Sequence, residues 1–421
     1  MLYILAENFY AAARRYNRAA MNTATSQAQA IASHWSLQAL NTFGIAATAR
    51  AYLRVSSSAD LQAVRANTAL STLPRLVLGG GSNLILSGDF DGLVLHLANQ
   101  GKRIVSEDNT HIIVSAQAGE NWHEFVQWTL VQNLPGLENL SLIPGSVGAA
   151  PIQNIGAYGS ELKDFFHSLT YFDFLTGEIC VLDREACRFA YRDSIFKQEL
   201  RDRAVILDVS FALPKQWQPN LSYAELEHEL TTSVVVAPTA REISEAVIAI
   251  RRRKLPDPAV IGNVGSFFKN PVVSKEVHAV LLEKYPQLVS YVQPDGSVKL
   301  AAGWMIDQCG WKGKSLGAAG VHEKQALVLI NRGGASGADV LKLARAIQED
   351  VRQRFGVTLD IEPLTRPQKT TQVTGNRTIT AIGAQGDLPG AIATDGANLY
   401  FCTGTYDGST VIWKKVTLGS V

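Results

Sequence analysis

Two segments of this sequence consist almost entirely of small and amide-bearing residues, and they are its first candidates for chemistry. The earlier one spans residues 78–83 and contains three consecutive glycines. Successive glycines let backbone N–H groups approach a phosphate without side-chain obstruction, so the run predicts a pyrophosphate cradle. It is not a Rossmann fingerprint, because Leu84 occupies the third glycine position, and it lacks the lysine of a P-loop. Read alone, it fits a glycine-rich hairpin turn equally well.

The second segment, residues 143–159, strengthens the cofactor reading. It carries no charged residue and suits a backbone that wraps closely round a large planar ligand. It contains no His or Cys, so we expect no covalent cofactor attachment there. The candidate cofactor residues of the two segments are Gly79, Gly80, Gly81, Ser82, Asn83, Pro144, Gly145, Ser146, Gly148, Ala149, Gln153, Asn154, Gly156 and Ala157.

The composition describes an ordinary globular protein. The chain has 421 residues, of which 46% are hydrophobic and 18% charged, with a net charge of +1. This balance argues against a disordered chain and against a nucleic-acid binder. The length predicts two or three domains with clefts between them.

Cysteine usage and hydropathy exclude several other classes. Four widely spaced cysteines form no C-x-x-C pair, so neither a zinc site nor a disulfide framework is expected, and no metal is predicted. No apolar stretch approaches the roughly 20 residues that span a bilayer, and the N-terminus does not resemble a secretory signal. We therefore expect a reduced, cytoplasmic protein without membrane insertion.

Periodicity supplies the elements that must position these candidates. Residues 1–34 form an Ala-rich extension that is expected to be helical, and strands are predicted over 76–78, 92–97 and 112–116. Helices are predicted over 239–253 and 337–354. The first is expected to end in a run of cations, shortly before Pro256. The alternation over 357–362 predicts a strand with Asp360 and Glu362 on one face.

Several motifs, in order, resemble the UDP-N-acetylenolpyruvoylglucosamine reductase (MurB) family. The resemblance covers about residues 35–363, and the loop at residues 221–223 suggests the longer subtype with a substrate-covering tyrosine. The motifs are residues 41–44, 79–83, 136–139 with 143–145, 191–194, 265–271 and 301–304.

The resemblance implies an α+β or α/β protein. A two-part FAD-binding domain of the vanillyl-alcohol-oxidase type would be joined to a smaller α/β substrate domain, with a β-rich C-terminal appendage. The appendage weakly resembles the terminal hairpins of phage tail proteins. The expected divisions are residues 1–34 (extension), 35–98 and 99–250 (FAD subdomains), 251–356 (substrate domain), 357–366 (strand returning to the active site) and 367–421 (hairpin-rich extension).

The implied activity is NADPH-dependent reduction of UDP-N-acetylglucosamine enolpyruvate to UDP-N-acetylmuramate through non-covalent FAD, a step of peptidoglycan synthesis. Hydride would come from flavin N5 and a proton from Ser266, while Arg192 would stabilise the charge that builds on the substrate carboxylate. Glu362 is the third active-site candidate, although its neighbours depart from the family pattern.

Each of these residues also has an ordinary interpretation. Arg192 could pair with the adjacent Asp193, Ser266 could be a turn residue, and Glu362 could face solvent from an edge strand. The resemblance further implies UDP-sugar or nicotinamide contacts for Tyr223, Lys254, Asn270 and Gln325. For residues 251–254 as a whole, a solvated helix end is the alternative.

Two other functions stay open from the sequence. One is a flavin oxidase or dehydrogenase with the same cofactor fold, which would reduce oxygen and ignore the enolpyruvyl sugar. The other is a non-catalytic, phage-associated binding protein, which would stay colourless with added FAD. The preferred enzyme is expected to be a monomer.

Overall fold

The computed structural model describes residues 31–232 and 237–366 and, beyond them, four short strands. By its contacts the chain divides into two units, Met1–Thr365 and Arg366–Val421. The larger unit carries all the candidate residues, and its elements are mixed α and β, as expected.

The first subdomain is a four-stranded sheet that presents the glycine run. Three of its strands are parallel, and the run begins directly after Arg75–Leu78, at the carboxyl end of that strand, where open α/β sheets bind ligands. The crossover includes helices Ser58–Ala66 and Thr68–Ser71, the first opened by a Ser57–Asp60 capping box. In order, the strands are Ala32–Ser36, Thr48–Val55, Phe90–Leu97 and Arg75–Leu78.

The first strand corrects the boundary predicted at the N-terminus. Ala32–Ser36 pairs antiparallel with Thr48–Val55, so residues 32–34 belong to the sheet and are not helical. Residues 1–30 of the predicted helical extension lie outside the described residues.

The second subdomain is a five-stranded antiparallel sheet covered by helix Trp122–Val131. Trp122, Phe125 and Phe211 are fully buried and pack ring against ring in its core. Trp122 is therefore a packing residue. In order, the strands are Ile179–Asp183, Phe166–Asp173, Ala204–Pro214, His111–Gln117 and Lys102–Glu107.

The rest of the larger unit contains two small antiparallel sheets. The first has the strand order Asn263–Ser266, Val328–Asn331, Ala319–Val321, Ser315–Leu316. The second has the strand order Val272–Val273, Val298–Leu300, Ser290–Val292. This part also contains helices Lys275–Lys284, Ala302–Gln308 and Gly337–Phe355. Helices Ala224–Thr232 and Ala240–Lys254 pack together through Leu226, Leu230, Ile243, Val247 and Ile250.

Both long predicted helices are confirmed, but the predicted strand over 357–362 is wrong. That segment makes a single bridge, between Ile361 and Phe268, and a strand begins only at Leu364. Pro363 has no N–H group, so the ladder cannot continue past it. Glu362 therefore lies at a break between two short pairings.

The smaller unit is confirmed as β-rich. Its sheet runs in the order Val373–Thr374, Ile392–Thr394, Asn398–Cys402, Trp413–Thr417, and the last two strands form the predicted hairpin. The resemblance to phage tail hairpins stays a prediction.

Candidate active site

The structure brings the two glycine-rich segments together. Ser82 Oγ donates a hydrogen bond to the Pro144 carbonyl at 3.0 Å, and Asn83 Nδ2 donates to Gln153 Oε1 at 2.7 Å. A Cβ atom on Gly80 would lie only 3.1 Å from the Cα of Gly145. The two segments thus form one backbone-lined surface, and a separate hairpin turn no longer describes the first segment.

This surface fits a flavin nucleotide. A Cβ on Gly79 would lie 2.1 Å from Ser146 Oγ, so no side chain can be added there without displacing the serine. Among the described residues, Ser146 Oγ is a buried polar atom that has no hydrogen-bond partner. Buried polar atoms are normally paired. A close-fitting glycine wall beside an unpaired hydroxyl is what a cofactor held through its polar atoms requires.

Arg192 connects the same surface to Glu362. It lies in a tight turn with φ at +55°, a left-handed conformation that is uncommon for arginine. Its guanidinium donates to the carbonyl of Gly156 at 2.9 Å, within the second glycine-rich segment. Its Nε lies 3.2 Å from Glu362 Oε1. Arg192 therefore pairs with Glu362 and not with Asp193.

Glu362 is enclosed rather than solvent-facing. Only 12% of its side chain is exposed, which overturns the edge-strand interpretation. Burial raises the pKa of this carboxyl, while the positive charges of Arg192, Lys197 and Lys269 oppose the rise. Its backbone N–H donates to the Phe267 carbonyl at 3.0 Å, which fixes the residue beside the strand that carries Ser266.

Ser266 is the last residue of strand Asn263–Ser266 and is exposed. It follows Gly265, whose φ of +71° turns the chain at this point and is strained for any other residue type. It precedes Phe267, whose carbonyl bonds Glu362. Ser266 and Glu362 are thus on neighbouring chain segments, as a shared site requires.

Two candidates for the nucleotide-sugar cluster with a residue that the sequence did not single out. Tyr223 packs edge-on against Tyr158, with ring centroids 5.1 Å apart. Burial raises the pKa of Tyr158 to about 12, so it stays a neutral hydrogen-bonding group. Lys254 Nζ pairs with Glu225, in the helix that follows Tyr223. The positive charge of Lys254, which would contact the nucleotide, is therefore balanced by the Glu225 carboxylate in this structure.

Asn270 and Gln325 have structural contacts of their own. Asn270 Oδ1 accepts from the Ala302 N–H at 3.0 Å, and Gln325 Oε1 accepts from the Leu327 N–H at 3.4 Å. The side-chain NH₂ groups are the parts that these bonds do not use. The structure does not bring Asn270 or Gln325 into hydrogen-bond contact with the Arg192–Glu362 pair.

The cationic run 251–254 is less uniform than a solvated helix end. Arg253 pairs with Glu229, and Arg252 is exposed, as expected for that interpretation. Arg251 instead donates from Nε to the Leu142 carbonyl at 3.2 Å and lies beside Tyr158, and burial lowers its pKa. It is a partly buried arginine facing the nucleotide-sugar candidates.

The sequence did not single out another partly buried cation, Lys197. Its Nζ donates to the Arg192 carbonyl at 2.8 Å. Burial, reinforced by the positive charge of Lys269, lowers its pKa to about 8. No local signal could have revealed it, because a lysine in a polar stretch is usually exposed.

The described residues contain neither a metal-binding cluster nor a membrane-spanning helix. No group of three or more His, Cys, Asp and Glu residues in them could hold a metal ion. None of the helices in that part of the chain is long and apolar enough to cross a membrane.

Comparison with known proteins decides the family. The model of the UDP-N-acetylenolpyruvoylglucosamine reductase C-terminal domain matches residues 257–365, and that of an FAD binding domain matches residues 49–183. The curated UDP-N-acetylenolpyruvoylglucosamine reductase of Paraburkholderia phytofirmans is 58% identical over 330 residues, or 78% of this chain and 95% of the relative. The chain belongs to the UDP-N-acetylenolpyruvoylglucosamine reductase family.

Further relatives support this membership. The enzyme named likewise from Burkholderia orbicola is 57% identical over 330 residues, covering 78% of this chain and 95% of its own. The crystal structure of the MurB reductase from Thermus caldophilus matches with a TM-score of 0.55 at 23% identity, over 80% of this chain and 99% of that one. That structure confirms the fold. The resemblance read from the sequence and the FAD-binding fold are therefore confirmed.

Proposed function

We propose that this chain reduces UDP-N-acetylglucosamine enolpyruvate to UDP-N-acetylmuramate with NADPH and bound FAD, as an oxidoreductase of peptidoglycan synthesis. Family membership supports the reaction, and the match to an FAD binding domain supports the cofactor. When bound, FAD supplies hydride chemistry, the capacity to take a hydride from NADPH and give it to an alkene carbon. The protein's own residues must provide the remaining chemistry.

The observation that carries this proposal is the partly buried pair of Arg192 and Glu362, attached to the cofactor segment through the Gly156 carbonyl. As one alkene carbon receives hydride, negative charge builds on the neighbouring carbon and its carboxylate. Arg192 is permanently charged and stabilises that charge in a partly dehydrated site. Glu362 orients the guanidinium through their ion pair.

Ser266 supplies the proton that completes the reduction. Hydride and this proton together saturate the double bond, and the serine Oγ regains a proton from solvent. The exposure of Ser266 allows that return. A hydroxyl is a weak acid, and the cations beside the neighbouring Glu362 segment favour its transient loss of a proton.

The remaining candidates form the nucleotide-sugar end of the site. We assign Tyr223 to cover the sugar nucleotide, Lys254 to its diphosphate, and the NH₂ groups of Asn270 and Gln325 to further contacts. Lysine binds phosphate as a point charge, so Lys254 must leave Glu225 or share it when substrate enters. We further propose that the enzyme is a cytoplasmic monomer, which light scattering on a purified sample would test.

Separate half-reactions test the catalytic assignment. In anaerobic rapid mixing, Ser266→Ala should leave flavin reduction by NADPH intact and slow reoxidation by the enolpyruvyl sugar by roughly 10²–10⁴-fold. Ser315→Ala, an exposed serine at another strand of the same domain, is the control and should match the parent. Equal reoxidation rates in all three proteins would remove Ser266 from the mechanism.

A further inference from the structure

Lys197 occupies an unusual position for a lysine. It ends the short 3₁₀ turn Ile195–Lys197, and Ser194 fixes the start of that turn by accepting the Phe196 N–H and donating to the Ile152 carbonyl. The side chain then points back along its own chain, where Nζ donates to the Arg192 carbonyl. The ammonium therefore holds the backbone of the residue that carries the active-site guanidinium.

That backbone needs holding. Arg192 adopts a positive φ, a conformation that costs a non-glycine residue of order 1–3 kcal/mol and persists only when its surroundings impose it. The Ala190–Asp193 bridge constrains the two ends of the turn, and the Lys197 bond constrains its middle. Without that bond, the guanidinium would lose part of its fixed direction towards Gly156 and Glu362.

The charges around Lys197 also favour an anionic group in the site. Arg192, Lys197 and Lys269 all act on the Glu362 carboxylate, and Asp193 is the other acid that acts on Lys197. Lys299 and Glu161 also lie at this partly buried site and carry opposite charges, so the cations still outnumber the carboxylates there. Such an excess is unfavourable in the empty protein and favourable when an anionic group enters.

We propose that Lys197 is a positioning residue of this reductase. It fixes the Arg192 turn, and because Glu362 already balances the charge of Arg192, it adds the positive charge that attracts the carboxylate of the substrate. The inference rests on the proposed role of Arg192. It assigns no contact with substrate to Lys197, which acts through Arg192 and through the field in the site.

Three substitutions separate the hydrogen bond from the charge. Lys197→Arg keeps both, Lys197→Gln keeps a donor without charge, and Lys197→Met removes both. Because a charged hydrogen bond is involved, Lys197→Met should slow flavin reoxidation by the enolpyruvyl sugar by roughly tenfold to a hundredfold at neutral pH. Lys197→Gln should be intermediate, and Lys197→Arg should lie within a few-fold of the parent. Flavin reduction by NADPH should be similar in all.

The pH profile gives a readout that a purely structural role would not move. Since the pKa of Lys197 is lowered to about 8, its charge is present below that pH and is lost as pH rises through it. Reoxidation by the parent should therefore decline above about pH 8, and Lys197→Arg should abolish that decline because arginine stays protonated. Lys215→Met, which removes an exposed pairing with Glu107 in the same FAD-binding domain, should keep the parent profile.

The variants separate the role of Lys197 from the proposed function of the whole site. FAD content and far-ultraviolet circular dichroism identify any variant that fails to fold, and Lys197→Arg keeps the test decisive in that case. If Arg192→Met abolishes reoxidation while Lys197→Met and Lys197→Arg retain the parent rate and profile, the inference about Lys197 is wrong. If Arg192→Met also retains the parent rate, the proposed function of the site fails first.

Discussion

Adding one methyl group at Gly79 should weaken FAD binding, and the structure sets the size of the effect. A Cβ there would lie 2.1 Å from Ser146 Oγ and 3.2 Å from Ser146 Cβ. Heavy atoms cannot approach to 2.1 Å, so either Ser146 rotates or the two cofactor segments separate. Overpacking of this kind costs about 1–3 kcal/mol, which corresponds to roughly a five- to 150-fold higher Kd for FAD.

Two further variants identify the cause of that loss. Gly88→Ala is the matched control, because a Cβ at this exposed glycine of the same subdomain meets no atom within 4 Å. The double variant Gly79→Ala/Ser146→Ala removes the oxygen that the methyl group would strike and leaves the 3.2 Å contact, to which the segments can adjust. It should recover much of the affinity for FAD, except for the part that a hydrogen bond from Ser146 to the cofactor contributes.

The assay is titration of the apoprotein with FAD, followed by quenching of flavin fluorescence. Parent-like affinity in Gly79→Ala would refute the argument that these two segments close round the cofactor. Weak binding by both Gly79→Ala and Gly88→Ala would refute it differently, since the loss would then come from backbone stiffness alone. Equal weakness of Gly79→Ala and the double variant would show that Ser146 is not the obstacle.

Two other predictions concern charge. Burial raises the pKa of Asp208, so the stability associated with this group is full below its unfolded pKa and is lost as pH rises through the folded value. Asp208→Asn, which still accepts the Thr170 hydroxyl, should therefore raise the free energy of unfolding by about 1 kcal/mol at pH 7.5 and by nothing near pH 3, and an unchanged urea midpoint at pH 7.5 would contradict this. Glu225→Ala frees Lys254 for the substrate diphosphate and should lower the KM for the enolpyruvyl sugar a few-fold with little change in kcat, because exposed ion pairs contribute no more than about 1 kcal/mol. A raised KM in initial-rate assays would show that Glu225 positions Lys254 rather than competing for it.

The cofactor segments could be predicted from sequence because their signal is local. Consecutive glycines and small residues indicate close backbone approach independently of the rest of the chain. The helix Ala240–Lys254 was predictable for a similar reason, since its Thr239 cap and terminal cations lie at its own ends. In each case the physical cause lies within a few residues of the effect.

The catalytic pairing could not be derived in that way. Arg192 has an acid beside it in the sequence, and charge alone favours that neighbour. The turn at φ +55° directs the guanidinium away from Asp193 and towards Glu362, and arginine gives no sign of a left-handed conformation. The strand predicted over 357–362 is wrong because alternation shows which side chains share a face but not whether a partner strand lies alongside, and only Ile361 has a bridge partner.

Backbone hydrogen bonds explain how residues so distant in the sequence act together. Arg192 is attached to the second cofactor segment through the Gly156 carbonyl. Two residues beyond Glu362, the Leu364 N–H donates to the carbonyl of Asn83, in the first cofactor segment, at 2.9 Å. Each member of the ion pair is therefore tied to a different wall of the same cradle. In the proposed mechanism, the two segments that would hold the flavin therefore also bring together the charges that its reaction needs.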